Sequence, residues 1–269
     1  GTGKTTLLGH LNLYLHKEYK GIKIAYCSFT GKASLILKKK LQETASLKST
    51  DFVGTIHRLI YKAIVDERDV IIGWEKIELD DFKYDLIVVD EASMVSYDIW
   101  RDLQSFNIPI LAVGDHGQLP PVDGKFNLMA NPILRLEEIY RQEKDNPIIV
   151  VSELARKYGE IPLMEFSKTV RKLSRQDDEV MEFLTDKLTG YEQNCLVLVG
   201  YNNTRVKLNA GIRQLLEFEH PQPSINDRVI CLRNNTQLGI FNGMLGSIES
   251  IEKVKQRGIS DYYQADILF

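Results

Sequence analysis

Gly1-Thr2-Gly3-Lys4-Thr5-Thr6 stands directly ahead of Leu7, Leu8, Leu11, Tyr14 and Leu15, which recur at helical spacing. A glycine turn that opens a helix presents backbone N–H groups to phosphate oxygens. Lys4 can then reach the β- and γ-phosphates of a nucleoside triphosphate, and the Thr5 hydroxyl can sit on Mg²⁺. A loop of this kind works at the carboxyl edge of a parallel sheet, so it demands alternating strands and helices. The complete pattern needs a further glycine and a feeding strand upstream of Thr2, so the chain reads as an internal piece of a longer protein.

The rest of the first half supplies that alternation. Gly21 ends the first helical segment, and Ile22 to Ser28 reads as a buried strand. A second helix carries Ala33, Ile36, Leu37 and Leu41, and a third begins near Thr55 with Ile56, Leu59, Ile60, Ala63 and Ile64 on one face. Leu86-Ile87-Val88-Val89-Asp90 is continuous and β-branched, as in a strand covered on both sides. A helix around Asp98 to Gln104 and the strand Ile110 to Val113 complete a doubly wound α/β pattern. Between the third helix and the Asp90 strand, Val70-Ile71-Ile72 and Lys76 to Leu79 flank Gly73-Trp74, which predicts an inserted hairpin over about 66–85.

A second unit is expected from Asn146-Pro147, a helix start with proline in the first turn, running to Tyr158 with Gly159 as its C-cap. A helix holding Val180 to Leu188, a strand over Cys195 to Val199 and a helix from Thr204 to Glu217 follow. Short strands are then expected at Val229 to Cys231, Gly246 to Ile248 and Tyr262 to Phe269.

Composition narrows the function classes without choosing one. With 269 residues, 43% of them apolar and 26% charged, the chain has room for about two domains. It contains no apolar run of about 18 residues, so no membrane partner is expected. Cys27 and Cys195 lie in apolar runs, and the three cysteines lack metal spacing, which points to reduced thiols and a cytoplasmic setting. A net charge of −3 carries no global nucleic-acid signature, and Lys38-Lys39-Lys40 reads as a solvated helix face.

The chemistry concentrates in three clusters. Besides the phosphate loop, Asp90-Glu91 closes a strand: Asp90 can hold Mg²⁺ through water, and Glu91 can polarise the attacking water as general base. The plain alternative is an acidic strand end that caps the next helix. In Val113-Gly114-Asp115-His116-Gly117-Gln118-Leu119-Pro120-Pro121-Val122, Gln118 sits in a glycine-flanked turn, where its amide can bond the γ-phosphate or the attacking water.

These pieces, with Thr30-Gly31-Lys32-Ala33, Thr55-Ile56-His57, Asp90-Glu91-Ala92-Ser93-Met94, Gln118-Leu119-Pro120-Pro121 and Tyr140-Arg141-Gln142, resemble the RecD-like helicases of superfamily 1. Leu198 to Asn203 with Arg205 and Asn209, and Phe241-Asn242-Gly243 with Gly246, extend the resemblance over nearly the whole chain. It implies a RecA-like P-loop NTPase domain over 1–145 and a partial second RecA-like domain over 146–269. A small β-barrel insertion would start at about 235. ATP, held by Gly1, Thr2, Gly3, Lys4, Thr5, Thr6, Asp90, Gln118 and Arg141, would lie between the two domains, with Mg²⁺ on Thr5 and Asp90. Lys4, Glu91, Gln118 and an arginine finger, Arg141, would carry hydrolysis.

The resemblance further implies movement on single-stranded DNA in the 5′→3′ sense and opening of duplex junctions, in repair or recombination and within reach of a larger repair complex. Thr30, Lys32, Thr55 and His57, with Asn202, Asn203 and Arg205 opposite, would hold the DNA backbone. Thr55 as a helix cap and His57 as packing remain an equal reading. Trp74 or Phe82 could stack on a junction base pair, or simply anchor the hairpin. An ATPase that remodels RNA or a protein partner, and a nucleotide-switched binding module, are the competing functions. The family's last motifs are not in this sequence, so the chain alone is expected to turn over ATP weakly.

Overall fold

In the computed structural model, the residues described are 3–66, 71–115, 117–118, 121, 126–136, 146–189, 196–218, 220, 222–232, 235, 238–254 and 262–269. They fall into two compact units, one of 1–144 with 231–244 and one of 145–230 with 245–269.

The first unit is built on strands that have little choice but to be enclosed. β1 (Ile24–Ser28) is buried along its whole length, and β5 (Leu86–Asp90) is buried from Ile87 onward. They pair in parallel, with β2 (Phe52–Thr55) and β6 (Ile110–Ala112) outside them, in the order β2-β1-β5-β6. Side chains alternate between faces. Ile24, Tyr26 and Val88 meet Leu8 of α1 (Lys4–Glu18) and Leu37 and Leu41 of α2 (Gly31–Glu43). Ala25, Cys27, Ile87 and Val89 meet α3 (Ile56–Ile60), Leu103 of α4 (Tyr97–Gln104) and Phe106. Helices therefore cover both faces of a parallel sheet, as the alternating pattern predicts. β2 was not foreseen, being four residues long with a glycine inside it.

Two expectations about this unit are corrected. The third helix stops at Ile60. Tyr61–Val65 is instead strand β3, paired antiparallel with β4 (Ile71–Lys76), so the hairpin begins earlier than 66 and Gly73-Trp74 lies within its second arm. Ile64 and Val65 lose side-chain freedom in a helix, and a facing β-prone arm offers them a ladder. Phe82 is buried, with its ring 4.4 Å from Phe106 and 5.4 Å from Tyr84, so it is a core residue and unable to stack on DNA. Trp74 is half exposed. Both ends of the hairpin are tied to the segment around α4: Tyr61 Oη donates to Asp102 at 2.5 Å, and Lys76 Nζ donates to Ser105 Oγ at 2.9 Å.

In the second unit, α5 (Pro147–Tyr158) begins at Asn146, whose side chain accepts from the Ile148 N–H at 2.9 Å, and ends at left-handed Gly159. A short hairpin, β7 (Met164–Ser167) with β8 (Val170–Lys172), precedes α6 (Asp178–Thr189) and α7 (Asn202–Leu215). β9 (Arg228–Ile230), β10 (Leu245–Val254) and β11 (Tyr262–Leu268) form an antiparallel sheet in the order β11-β10-β9. Cys195 lies outside the described residues. Leu196 to Val199, expected as a strand, form no regular secondary structure, with Leu196 62% and Leu198 83% exposed. An apolar run becomes a strand only where a neighbour takes its backbone groups, and none does so among the described residues.

Beneath α1 and α2 lies a polar pin that no local pattern reveals. The Asp51 carboxylate, with no side-chain exposure, accepts from Ile24 N–H (3.2 Å), Lys48 N–H (3.0 Å) and Asn12 Nδ2 (3.4 Å), and meets His16 Nε2 at 2.9 Å. It joins α1, β1 and the loop before β2. Asp51→Ala strands these groups in the interior and is expected to cost about 3 kcal/mol. Urea unfolding should show a lower midpoint with unchanged slope.

Candidate functional site

Parallel strands deliver their carboxyl ends to one edge, and the register fixes what meets there. Ser28 at the end of β1 is opposite Thr55 of β2 on one side and Asp90 of β5 on the other. The loops that follow these strands carry most of the candidate residues of the first unit.

Gly3 is left-handed (φ 81°) and caps α1, its carbonyl accepting from the Leu7 N–H at 2.9 Å. Among the described residues, no side chain caps this helix start. Lys4 and Thr5 are half-buried and Thr6 is exposed, while Gly1 and Thr2 lie outside the described residues. Asp90 is buried at 7% exposure. Burial raises its pKa above the usual carboxylate range, and the charge of Glu91 adds to that. The Glu91 N–H, donating to Asp90 Oδ1 at 3.0 Å, and the Lys4 ammonium both act in the other direction. Lys4 and Asp90 are therefore close enough to interact.

Glu91 is the strained residue of the site. Its φ of 53° puts a non-glycine residue in the left-handed region, a conformation that costs on the order of 1–3 kcal/mol. Its Oε2 is buried and has no hydrogen-bond partner among the described residues. A carboxylate oxygen left so in a fold is an acceptor waiting for an external donor. Beyond it, Ala92–Met94 forms a 3-10 turn whose Ala92 N–H donates to the Val113 carbonyl at 3.0 Å. Ser93 Oγ donates to Gln118 Oε1 at 3.0 Å, so the Asp90 turn and the Gln118 loop are joined. Ser93 was not singled out from the sequence, because the bond spans 25 positions. Of the residues around Gln118, His116, Leu119, Pro120 and Val122 lie outside the described ones, as do Tyr140, Arg141 and Gln142.

These groups fit a magnesium–triphosphate. Uncapped helix N–H groups and Lys4 suit phosphate oxygens. Thr5 and Asp90 suit a hard cation that keeps several waters and takes few protein ligands. The orphaned Glu91 oxygen suits a water beside the terminal phosphate.

The candidate DNA residues divide differently. Thr30 caps α2, its hydroxyl oxygen accepting from the Ala33 N–H at 3.2 Å, and Lys32 is exposed two residues on. The turn at Gly243 lies against the Lys32 stem: a Cβ there would sit 3.9 Å from Lys32 Cδ. Lys38, Lys39 and Lys40 are all exposed, and Lys40 pairs with Glu43. Thr55 caps α3 through Arg58 N–H at 3.2 Å. His57 packs among Tyr61 (5.5 Å between centroids), Trp74 (6.2 Å) and Phe29 (6.3 Å). Burial lowers its pKa below the ordinary histidine value, so it is a neutral ring near pH 7. Cap and packing roles are thus both filled. In the second unit, Asn202, Asn203 and Arg205 are exposed on the first turn of α7, which no side chain caps.

The parallel sheet, glycine-led helix and Asp90-Glu91 strand end have the form of a P-loop nucleotide-binding core. Residues 1–124 match the AAA domain family. The ATP-dependent RecD2 DNA helicase of Deinococcus radiodurans is 34% identical over 154 residues, covering 54% of this chain and 19% of that protein. The RecD subunit of the RecBCD enzyme from Buchnera aphidicola subsp. Acyrthosiphon pisum is 31% identical over 138 residues, covering 46% and 22%. A solved structure of two coordinating Pif1 helicases that unwind forked double-stranded DNA aligns over 100% of this chain and 74% of that one, with a TM-score of 0.50 and 19% identity. The chain is similar in sequence to these RecD proteins and spans about a fifth of their length.

Asp90 bears an electrostatic cost that its neighbours only partly offset. A carboxyl whose folded pKa is raised favours the fold below its unfolded pKa and loses that contribution as pH rises through the folded value. At neutral pH the charge is a penalty. Asp90→Asn, which keeps an oxygen for the Glu91 N–H, is expected to raise the melting temperature of the nucleotide-free protein while abolishing Mg²⁺-dependent nucleotide binding.

Proposed function

We propose that this chain is the motor portion of a longer ATP-dependent DNA helicase or translocase, acting in the cytoplasm in repair or recombination. Glu91 carries the reading: a strained, half-buried residue whose buried Oε2 has no partner among the described residues, next to a carboxylate at a parallel strand's end that senses a phosphate-loop lysine. A structural cap needs neither the strain nor the orphaned oxygen.

In this reading Gly1, Thr2, Gly3, Lys4, Thr5 and Thr6 wrap the phosphates, and Thr5 and Asp90 hold Mg²⁺. Glu91 activates water, and Gln118 senses the γ-phosphate. Arg141 completes the site as arginine finger; the chain carries two RecA-like domains, 1–145 and 146–269, the second with a small β-barrel from about 235. Thr30, Lys32, Thr55 and neutral His57 form one grip on the DNA backbone, and Asn202, Asn203 and Arg205 the other. Alternate release of two grips moves the motor 5′→3′ along single-stranded DNA. The hairpin β3–β4 splits the junction, with Trp74 at its face.

In the intact protein, ATP turnover should rise on addition of single-stranded DNA. Glu91→Gln should lower it by about a hundredfold to ten-thousandfold with nucleotide binding retained. Stimulation by RNA alone favours the remodelling function instead, and a Glu91→Gln protein with undiminished turnover refutes the assignment of the base.

A splitting hairpin has to be stiff at its root. Tyr61→Phe removes a bond to a charged acceptor worth about 1.5–3 kcal/mol. It is expected to impair strand separation on a tailed duplex several-fold more than it impairs DNA-stimulated hydrolysis, measured on the same preparation.

A further inference from the structure

Ser93 itself is assigned to neither nucleotide nor DNA, yet it is 2% exposed and its hydroxyl is spent on one acceptor, Oε1 of the phosphate-sensing Gln118. A carboxamide can turn over, exchanging its oxygen and its NH₂ group. The two orientations are opposite in function. With the oxygen turned to Ser93, two N–H donors remain for an anion or for a water lone pair. With the amide reversed, a carbonyl oxygen faces the phosphate and repels it. The reversed amide also leaves the buried Ser93 O–H without an acceptor among the described residues, which is costly. Ser93 thus selects the orientation in which Gln118 can sense phosphate.

The surroundings make that selection firm. The Gln118 loop is closed by Gln118 N–H to Asp115 O (3.1 Å) and Gly117 N–H to Asp115 Oδ1 (3.0 Å). It is held to the Ser93 turn by the Ala92–Val113 backbone bond. At Gly114 a Cβ would fall 3.1 Å from Ser93 N and 2.7 Å from Met129 Sδ, so only glycine lets the two loops approach this closely. Glu91, two positions before Ser93, belongs to the same turn.

The geometry points to Ser93 as a positioning residue that fixes the Gln118 amide and, through it, links phosphate sensing to the placement of the Glu91 base. This deepens the ATPase reading and rests on it.

The test is a double-mutant cycle in the intact protein, with Ser93→Ala, Gln118→Ala and both together, reading kcat and KM for ATP with and without single-stranded DNA. Ser93→Ala should lower DNA-stimulated kcat about tenfold with KM little changed. The double variant should be no slower than Gln118→Ala alone. Ser93→Thr and Ser93→Val are equal in shape and differ in the hydroxyl, so they make the comparison even where Ser93→Ala folds poorly; Thr should turn over ATP faster than Val. Additive losses in the cycle, an unchanged kcat in Ser93→Ala, or Thr and Val variants of equal rate overturn the role of Ser93 alone. Absence of ATP turnover in the unsubstituted protein overturns the ATPase reading along with it.

Discussion

Enclosure of β1 and β5 on both faces governs the first unit. Ile24, Tyr26 and Val88 on one side and Ala25, Cys27, Ile87 and Val89 on the other are fully buried, and burying each larger side chain contributes about 1.5–3 kcal/mol. A shift of one residue in either strand would reverse both faces at once, so the register is firmly held. Because the strands run parallel, that register also determines which carboxyl ends are neighbours. Thr55, Ser28 and Asp90 are aligned by hydrophobic packing, and the polar chemistry at the edge inherits its geometry from the core.

The core also offsets features that weaken the fold locally. Burial disfavours the charged form of Asp90, Glu91 is in a left-handed conformation with an oxygen unpaired among the described residues, and Gly114 is squeezed between Met129 and the Ser93 turn. These lie within one short stretch of the sheet edge, next to Lys4. Strain and incomplete solvation gathered in this way mark a place shaped for something outside the chain. The Asp51 pin shows the opposite economy: a buried carboxylate surrounded by donors, which holds a helix, a strand and the loop before β2 in place.

Elements whose cause is local were legible in the sequence. The α5 helix was readable at both ends, since Asn146, Pro147 and Gly159 each act on the backbone beside them. The alternation that makes a parallel sheet, the Asp90 strand and the phosphate-loop helix were legible for the same reason: periodicity and capping are short-range. The segment 61–65 was misread because apolar spacing there suits helix and strand alike, and the arm across from it decides. Leu196 to Val199 were misread because composition cannot supply a neighbouring strand.

The sequence by itself determined the chemistry this chain can offer. A phosphate-loop lysine and threonine, an Asp-Glu strand end and a glutamine in a glycine turn follow from residue identity and near spacing, as does the likeness to RecD-type motors. Tertiary structure alone decided how those groups are held. The left-handed strain of Glu91, the charge cost of Asp90, the ring packing that keeps His57 neutral and the Ser93–Gln118 bond all arise between residues brought together by the sheet. No local pattern encodes such pairings, because their energies depend on burial and on partners far along the chain.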